Sequence, residues 1–196
     1  MVGSKLGVLA LATSLGFSMP ALADTTDGLG NATLFLKGGI ARYTGSVGDY
    51  LNAGPNWGLI VGVQPFSALG FEVGYEGSRN TLDDARLLGD TAVMRHGGTA
   101  LVKISPPFLN AVRPFLGAGL GFSYASLQGD AGGLYESDLM EEVPLAAGLE
   151  FNSGRITAGL RFTYRFLLDE GFAEPAYPGA SDGNLFDASA TLGARF

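Results

Sequence analysis

The segment RITAGLRFTYRF, residues 155–166, alternates between polar or small and apolar side chains over its whole length. The apolar set consists of every second residue, namely Ile156, Ala158, Leu160, Phe162, Tyr164 and Phe166. Successive side chains of a β-strand point to opposite faces, whereas an α-helix repeats every ~3.6 residues and would mix the two sets. The segment is therefore predicted to be a β-strand with one apolar face and one polar face.

The same alternation recurs along the chain and predicts eight strands in all. The other seven segments are TLFLKGGIARY (33–43), NWGLIVGVQPF (56–66), GFEVGYEGS (70–78), MRHGGTALVKI (94–104), RPFLGAGLGFSY (113–124), VPLAAGLEF (143–151) and FDASATLGARF (186–196). Tight connections near 65–70, 105–113 and 152–154 take turns with long ones at roughly 44–55, 77–92, 125–142 and 167–183. This order predicts antiparallel strands that run up and down, with all long connections at one end.

The environment of the two strand faces separates a soluble β-sandwich or lipocalin-like barrel from a transmembrane barrel. A transmembrane barrel turns its apolar face outward to lipid and its polar face inward to the lumen. The polar faces here are rich in Gly, Ser and Thr and carry charges of both signs, which can pair across the narrow lumen of an eight-stranded barrel. The predicted lumen charge network is Lys37, Glu72, Glu76, Arg95, Lys103, Glu150, Arg161, Arg165, Asp187 and Arg195.

Aromatic residues concentrate near the predicted strand ends, where a transmembrane barrel meets lipid headgroups. The predicted girdles are Tyr43, Trp57, Tyr75, Tyr124, Tyr164, Phe166 and Phe186 on the side of the long connections, and Phe66, Phe71, Phe151 and Phe196 on the other side. The strands are about nine to twelve residues long, close to the length of about 9 to 11 residues that crosses a bilayer at a tilt. We therefore predict an all-β fold, an eight-stranded antiparallel up-and-down transmembrane β-barrel.

The N-terminal segment is predicted to be cleaved off and not to be part of the fold. Residues 1–23 contain Lys5, a short apolar run and the small-residue tripeptide Ala21-Leu22-Ala23, which is typical of a secretory signal peptide. The alternative, a membrane anchor, would need a longer apolar run. Residues 24–196 would form the barrel domain. An export signal and an even strand number predict the bacterial outer membrane, with both termini in the periplasm and the long connections outside.

Three stretches carry a family resemblance: RPFLGAGLGFSY (113–124), AGLRFTYRF (158–166) and the terminal alternation that ends at Phe196. In their order and spacing the chain resembles the small outer-membrane β-barrel family, the OmpA/OmpX-like eight-stranded barrels of the porin family. The resemblance implies contact with outer-membrane lipid and lipopolysaccharide, and it implies that Phe196 is part of the signal read by the barrel-assembly machinery. The oligomeric state stays open, with a monomer favoured.

Composition limits the chemistry that the chain can perform. The sequence has no Cys, one His and an acidic excess of 19 to 12, so we expect no cofactor, no metal site and no binding to nucleic acid. GAGLGF (117–122) lies within a predicted strand and is not expected to hold a phosphate. Some barrels of this size modify lipid A, but His96 is followed by Gly97-Gly98 and lacks the serine that this resemblance would require.

Acidic residues concentrate in three of the predicted long connections: Asp83, Asp84 and Asp90; Asp130, Glu136, Asp138, Glu141 and Glu142; and Asp169, Glu170, Glu174 and Asp182. They favour solvated loops, with cation-mediated contact to lipopolysaccharide as an alternative. We therefore predict a non-enzymatic outer-membrane protein with a structural or surface-interaction role. The alternatives are a narrow porin-like channel through the lumen charges and a lipid A-modifying enzyme centred on His96.

Overall fold

The computed structural model describes residues 32–82, 91–107, 111–128, 138–168 and 183–196. None of the helical residues in these ranges forms a helix with the length and hydropathy of a membrane-spanning segment. The predicted signal peptide lies outside the described residues. The elements are β1 Ala32–Thr44, the short helix α1 Gly45–Gly48, β2 Gly54–Val63, β3 Leu69–Thr81, β4 Ala92–Ile104, β5 Val112–Gln128, β6 Asp138–Ser153, β7 Ile156–Leu168 and β8 Gly183–Arg195.

The eight strands form one closed antiparallel barrel in which each strand pairs with its neighbours in sequence. β1 and β8 close the sheet, from Thr33 paired with Arg195 to Thr44 paired with Asn184. Beyond β8, the backbone N–H of Phe196 donates to the carbonyl oxygen of Ala32 at 2.9 Å. The predicted eight-stranded up-and-down barrel is confirmed, and the closure leaves no sheet edge whose backbone groups would lack partners in lipid.

The barrel is inverted relative to a soluble protein. On β7 the alternate residues Leu160 and Phe162 are 52% and 51% exposed on the outer face, whereas Arg161 and Arg165 are 4% and 1% exposed in the lumen. The other strands also turn apolar side chains outward and polar side chains into the lumen, and their large exposed side chains are almost all aliphatic or aromatic. An apolar surface of this extent is stable only in contact with an apolar medium such as lipid. An outer face of this kind is the lipid-facing surface of a transmembrane barrel.

The connections alternate in length as predicted, but several strands are longer than the sequence indicates. The long ones span residues 45–53, 82–91, 129–137 and 169–182, and the strand ends that they join lie at what we call the long-connection end. The others span residues 64–68, 105–111 and 154–155, and they join the strands at the opposite end, the short-connection end. β3 continues to Thr81, β5 continues to Gln128, and β6 already begins at Asp138. The predicted connections 77–92 and 125–142 are therefore partly wrong. The apolar signal fades there because outer-face residues such as Arg79 and Glu141 are polar, although strand pairing continues.

An apolar cluster fills the lumen at the long-connection end. We call it the apolar plug; it consists of Ala41, Tyr43, Val47, Leu51, Val93, Ala125, Met140, Leu167 and Leu185, with Leu82 packed against it. Val47 comes from α1, so the first long connection folds over the lumen. Tyr43 is 1% exposed and points inward, which corrects its prediction as a girdle residue. Its position in β1 has the same parity as the lumen residue Lys37, so the strand alternation overrides the preference of tyrosine for headgroups.

Candidate functional site: the barrel lumen

Six charged side chains meet in the lumen beneath the apolar plug. This six-residue ion cluster contains Lys37, Glu76, Arg95, Glu142, Arg165 and Asp187. Lys37 Nζ lies 2.9 Å from both Glu76 Oε1 and Asp187 Oδ1. The guanidinium of Arg165 contacts Glu76 and Asp187 with its terminal nitrogens. The cluster holds three positive and three negative groups, so its formal charge is zero.

Glu142 links two arginines within this cluster. Its Oε1 accepts a hydrogen bond from Arg95 Nε at 2.8 Å and another from the Ser123 hydroxyl. Its Oε2 lies 3.4 Å from Arg165 Nε and also contacts Arg95. One carboxylate therefore neutralises a guanidinium from β4 and shares a second from β7, which ties three strands together across the lumen.

A four-residue ion cluster lies nearer the short-connection end and contains Glu72, Lys103, Glu150 and Arg161. Lys103 Nζ lies 2.9 Å from Glu72 Oε1 and 2.7 Å from Glu150 Oε1, and Arg161 contacts the other oxygen of Glu72. The Phe115 ring lies 5.2 Å from Lys103 Nζ and 5.0 Å from Arg161 Cζ, within cation–π range. Two cations face two carboxylates, so this cluster is also neutral.

The clusters and the plug form successive layers along the lumen. On β4 the next inward-facing residue after Arg95 of the six-residue cluster is Val93, and on β8 the next after Asp187 is Leu185. Val93 and Leu185 both belong to the plug. In both clusters, no paired side chain is more than 8% exposed. The space between Phe35, Ile60 and Phe115 beside the four-residue cluster has no volume for a water molecule. The lumen at these levels is a packed interior rather than a solvated passage.

The structure brings together nine of the ten predicted lumen charges in these two clusters. Arg195 also faces inward, but it lies half-buried at the short-connection end, where it donates to Asn152 Oδ1 at 2.6 Å. Glu142 was predicted to lie in the third long connection, which is wrong: it is 1% exposed in the lumen. The sequence contains a signal for this position: Glu142 is an even number of residues from Glu150 on β6, so the strand alternation directs both side chains into the lumen.

The other acidic residues have different positions. Glu141 is exposed on the outer face of β6, next to Glu142, and Asp138 is the first residue of that strand. The remaining predicted loop acids, Asp83, Asp84, Asp90, Asp130, Glu136, Asp169, Glu170, Glu174 and Asp182, lie outside the described residues. Among the described residues, no group of three or more His, Asp or Glu side chains is placed to hold a metal ion.

The aromatic residues of the predicted girdles, Tyr43 apart, lie at the barrel surface. Tyr75, Tyr124, Phe166 and Phe186 are exposed and Trp57 and Tyr164 are half-buried, whereas Phe66, Phe71, Phe151 and Phe196 are exposed toward the short-connection end. His96 lies on the same surface, stacked on Tyr75 with ring centroids 6.0 Å apart, and the Tyr75 hydroxyl lies 2.6 Å from His96 Nδ1. The ring of Trp57 approaches His96 edge-on at 6.1 Å. His96 therefore belongs to an aromatic group on the lipid-facing wall.

The glycines of GAGLGF face the lumen from β5. A Cβ atom at Gly119 would lie 1.9 Å from the carbonyl oxygen of Ala100 on β4, so the backbones approach too closely there for any side chain. No helix follows the segment, because β5 continues to Gln128. The stretch serves close strand packing, in agreement with the expectation that it is not a phosphate loop.

An inverted closed barrel with a charged interior and an apolar exterior defines the class of transmembrane β-barrels. Comparison with solved structures places the chain more closely: it has the fold of the small eight-stranded outer-membrane β-barrels. Ail, the attachment invasion locus protein of Yersinia pestis, shares 16% identity at a TM-score of 0.59, covering 86% of this chain and 100% of Ail. Neisserial surface protein A shares 15% identity at a TM-score of 0.60, covering 85% of this chain and 99% of Neisserial surface protein A.

A third similar structure is the N-terminal β-barrel domain of Pseudomonas aeruginosa OprF, with 14% identity, a TM-score of 0.56 and coverage of 87% of this chain and 100% of that domain. No protein-family model and no curated protein matches the sequence. The likeness therefore rests on the barrel itself, its strand number and its connectivity.

Proposed function

We propose that this chain is a non-enzymatic protein of the bacterial outer membrane, in which a sealed barrel holds the long connections at the cell surface. The single observation that carries the proposal is the filled lumen, with two neutral ion clusters below an apolar plug. A structure of this kind suits a rigid membrane scaffold that carries the connections at its ends. Both termini lie at the periplasmic side in this proposal.

The buried ion pairs argue against the channel. A permeating ion would have to compete with contacts such as Lys37–Glu76 and Lys103–Glu150, whose partners have almost no water around them. Separating a buried pair leaves uncompensated charge at a cost of about 3–5 kcal/mol. The ion would then meet the plug, where Met140 and Leu185 offer no polar ligand. The lumen charges are therefore assigned to structure rather than to selectivity.

The wall of the barrel supports the proposed partners. The exposed aliphatic and aromatic residues would contact outer-membrane lipid, and Tyr75, His96 and Trp57 would lie near the headgroups of the outer leaflet, where lipopolysaccharide resides. A surface-interaction role would be of the kind that the name of Ail, the attachment invasion locus protein, gives to that protein. The barrel-assembly machinery would recognise Phe196 during biogenesis.

Planar-bilayer recording of the purified barrel tests the sealed lumen. We expect silent membranes at protein amounts at which a large porin, added as a positive control, gives conductance steps. Discrete steps that change in the Arg161→Ala or Arg165→Ala variants would contradict the proposal and establish the channel, because both side chains lie in the lumen.

The absence of enzymatic activity has its own experiment. Cells that express the wild-type chain and cells that express His96→Ala should have the same lipid A profile as cells without the protein. A lipid A modification that depends on the wild-type chain and disappears in His96→Ala would overturn this part of the proposal, since His96 is the sole histidine of the sequence.

A further inference from the structure

A polar cavity opens into the lumen at the short-connection end. Its volume is about 290 Å³, and its polar lining includes Gln64, Ser67, Lys103, Arg113, Glu150 and Arg195. Lys103 and Glu150 belong to the four-residue ion cluster, so the cavity lies directly outside that cluster. The cavity therefore forms a vestibule between the packed lumen and the solvent or headgroup layer at this end.

Two arginines give the vestibule an uncompensated positive charge. Lys103 is neutralised within the four-residue cluster, where two cations meet two carboxylates. Among the described residues, no carboxylate lies within ion-pair distance of Arg113 or Arg195. Both side chains are half-buried, so water screens them less than it screens a fully exposed arginine. Arg113 and Arg195 therefore add positive charge to a vestibule whose other charged lining residues, Lys103 and Glu150, pair with each other.

Neutral acceptors hold both guanidinium groups in place. Arg113 donates to Gln64 Oε1 at 3.0 Å and to the carbonyl oxygen of Ser67 at 2.8 Å. Arg195 donates from Nη2 to Asn152 Oδ1 at 2.6 Å and to Thr157 Oγ1 at 3.4 Å. These contacts fix the orientation without neutralising the charge, and a guanidinium carries more N–H groups than they use. The remaining donors are available to a ligand.

We propose that this vestibule is a binding site for a phosphate group. Arginine forks match phosphate oxygens in geometry, and charge-assisted hydrogen bonds of this kind are stronger than neutral ones. The apolar part of the lining, which includes Phe35, Val63 and Phe66, would contact an organic substituent on the phosphate. The ligand is either the headgroup of an anionic phospholipid at the short-connection end or a soluble phosphate ester. The site does not depend on whether the long connections bind a partner.

The test uses the full-length barrel with two probes. Glycerol 3-phosphate is titrated calorimetrically into protein in a neutral detergent, and phosphatidylglycerol is titrated into phosphatidylcholine nanodiscs that contain the protein and is followed by ³¹P NMR. We expect saturable binding of at least one probe. Binding of glycerol 3-phosphate identifies a soluble ester, and binding of phosphatidylglycerol alone identifies the lipid headgroup.

The variants distinguish the vestibule from general attraction to a positive surface. Arg113→Gln combined with Arg195→Gln should weaken binding at least about tenfold, because it removes both charged forks. Arg155→Gln is the matched control, since Arg155 is exposed at the same end and does not line the cavity; its binding should stay within about twofold. Arg113→Lys keeps the charge and loses the fork, so it should bind more weakly than the wild type and more tightly than the double variant.

Three results would overturn the proposal. The first is the absence of saturable binding for both probes. The second is unchanged binding in the double variant, and the third is an equal loss in Arg155→Gln. Heat-modifiable migration on a detergent gel confirms that each variant is folded, and Arg113→Lys supplies the comparison if the double variant fails to assemble.

Discussion

Replacing Glu142 by Gln should be among the most damaging conservative changes in the lumen. The substitution keeps the size of the side chain but removes one of three negative charges from the six-residue ion cluster. Arg95 then loses the carboxylate that it contacts through Nε at 2.8 Å, and Arg165 loses one of its three acidic neighbours. Removing one partner of a buried pair costs about 3–5 kcal/mol, and we expect the free energy of unfolding to fall by that amount.

Equilibrium unfolding in urea, in the presence of lipid vesicles, measures this change. Glu141→Gln is the matched control: the neighbouring carboxylate is exposed on the outer face, so its loss should change the free energy of unfolding by less than about 0.5 kcal/mol. The double variant Glu142→Gln/Arg95→Met should recover much of the stability, because it removes both members of the Arg95–Glu142 pair and restores a balance of two cations and two carboxylates.

Two results would refute this reasoning about the lumen. One is a loss below about 1 kcal/mol in Glu142→Gln, which would indicate that the charge is solvated rather than buried. The other is a double variant that is less stable than Glu142→Gln by the full cost of a second buried defect. Either result would mean that Glu142 and Arg95 are not energetically coupled, despite their contact in the structure.

Two further predictions concern closure and assembly. Gly39→Ala should lower the heat-modifiable fraction on a detergent gel, because its Cβ would lie 2.1 Å from the Ala188 carbonyl oxygen where β1 pairs with β8. The control Gly38→Ala should leave this fraction unchanged, because its Cβ meets open space. Equal fractions in the two variants would contradict the close approach of β1 and β8 at Gly39. Deletion of Phe196 should lower the yield of assembled barrel in cells while leaving the unfolding midpoint of assembled protein nearly unchanged. Normal assembly of the truncated chain would refute the role of Phe196.

The sequence predicts the barrel because one physical rule, the period of two, operates on every strand. In β7 the alternation of Arg161 and Arg165 with Phe162 and Phe166 determines both the strand and its inverted orientation. The same parity predicts which charges share the lumen. It does not predict which of them pair, because that depends on the register between strands and on the tilt, and neither can be read from single-strand patterns.

The errors lie at the long-connection end, where two rules compete. Tyr43 is an aromatic residue, a type that favours a girdle position, but its place in the strand alternation directs it into the lumen. Glu142 is a charged residue in the acidic pair 141–142, a type that favours a loop, yet it continues the inner face of β6. For both residues the strand alternation determines the direction of the side chain, since a side chain on a paired strand cannot change faces without breaking the ladder.

The apolar plug could not be predicted from alternation alone. Val93, Met140, Leu167 and Leu185 are apolar residues at inward positions, which a pattern of apolar-out and polar-in treats as noise. Their common position becomes evident only when neighbouring strands are placed in register. The packing of Val47 from α1 onto them depends in addition on the course of a connection, which carries no periodic signal.

The central claim, that the apolar face of this barrel meets lipid, is tested most directly by the fluorescence of Trp57, the single tryptophan of the sequence, which lies on the outer face of β2 beside His96. With the barrel in vesicles, lipids brominated near the headgroup should quench Trp57 strongly and more than lipids brominated near the chain ends, whereas aqueous iodide should quench it weakly. Strong quenching by iodide without quenching by any brominated lipid would contradict the account.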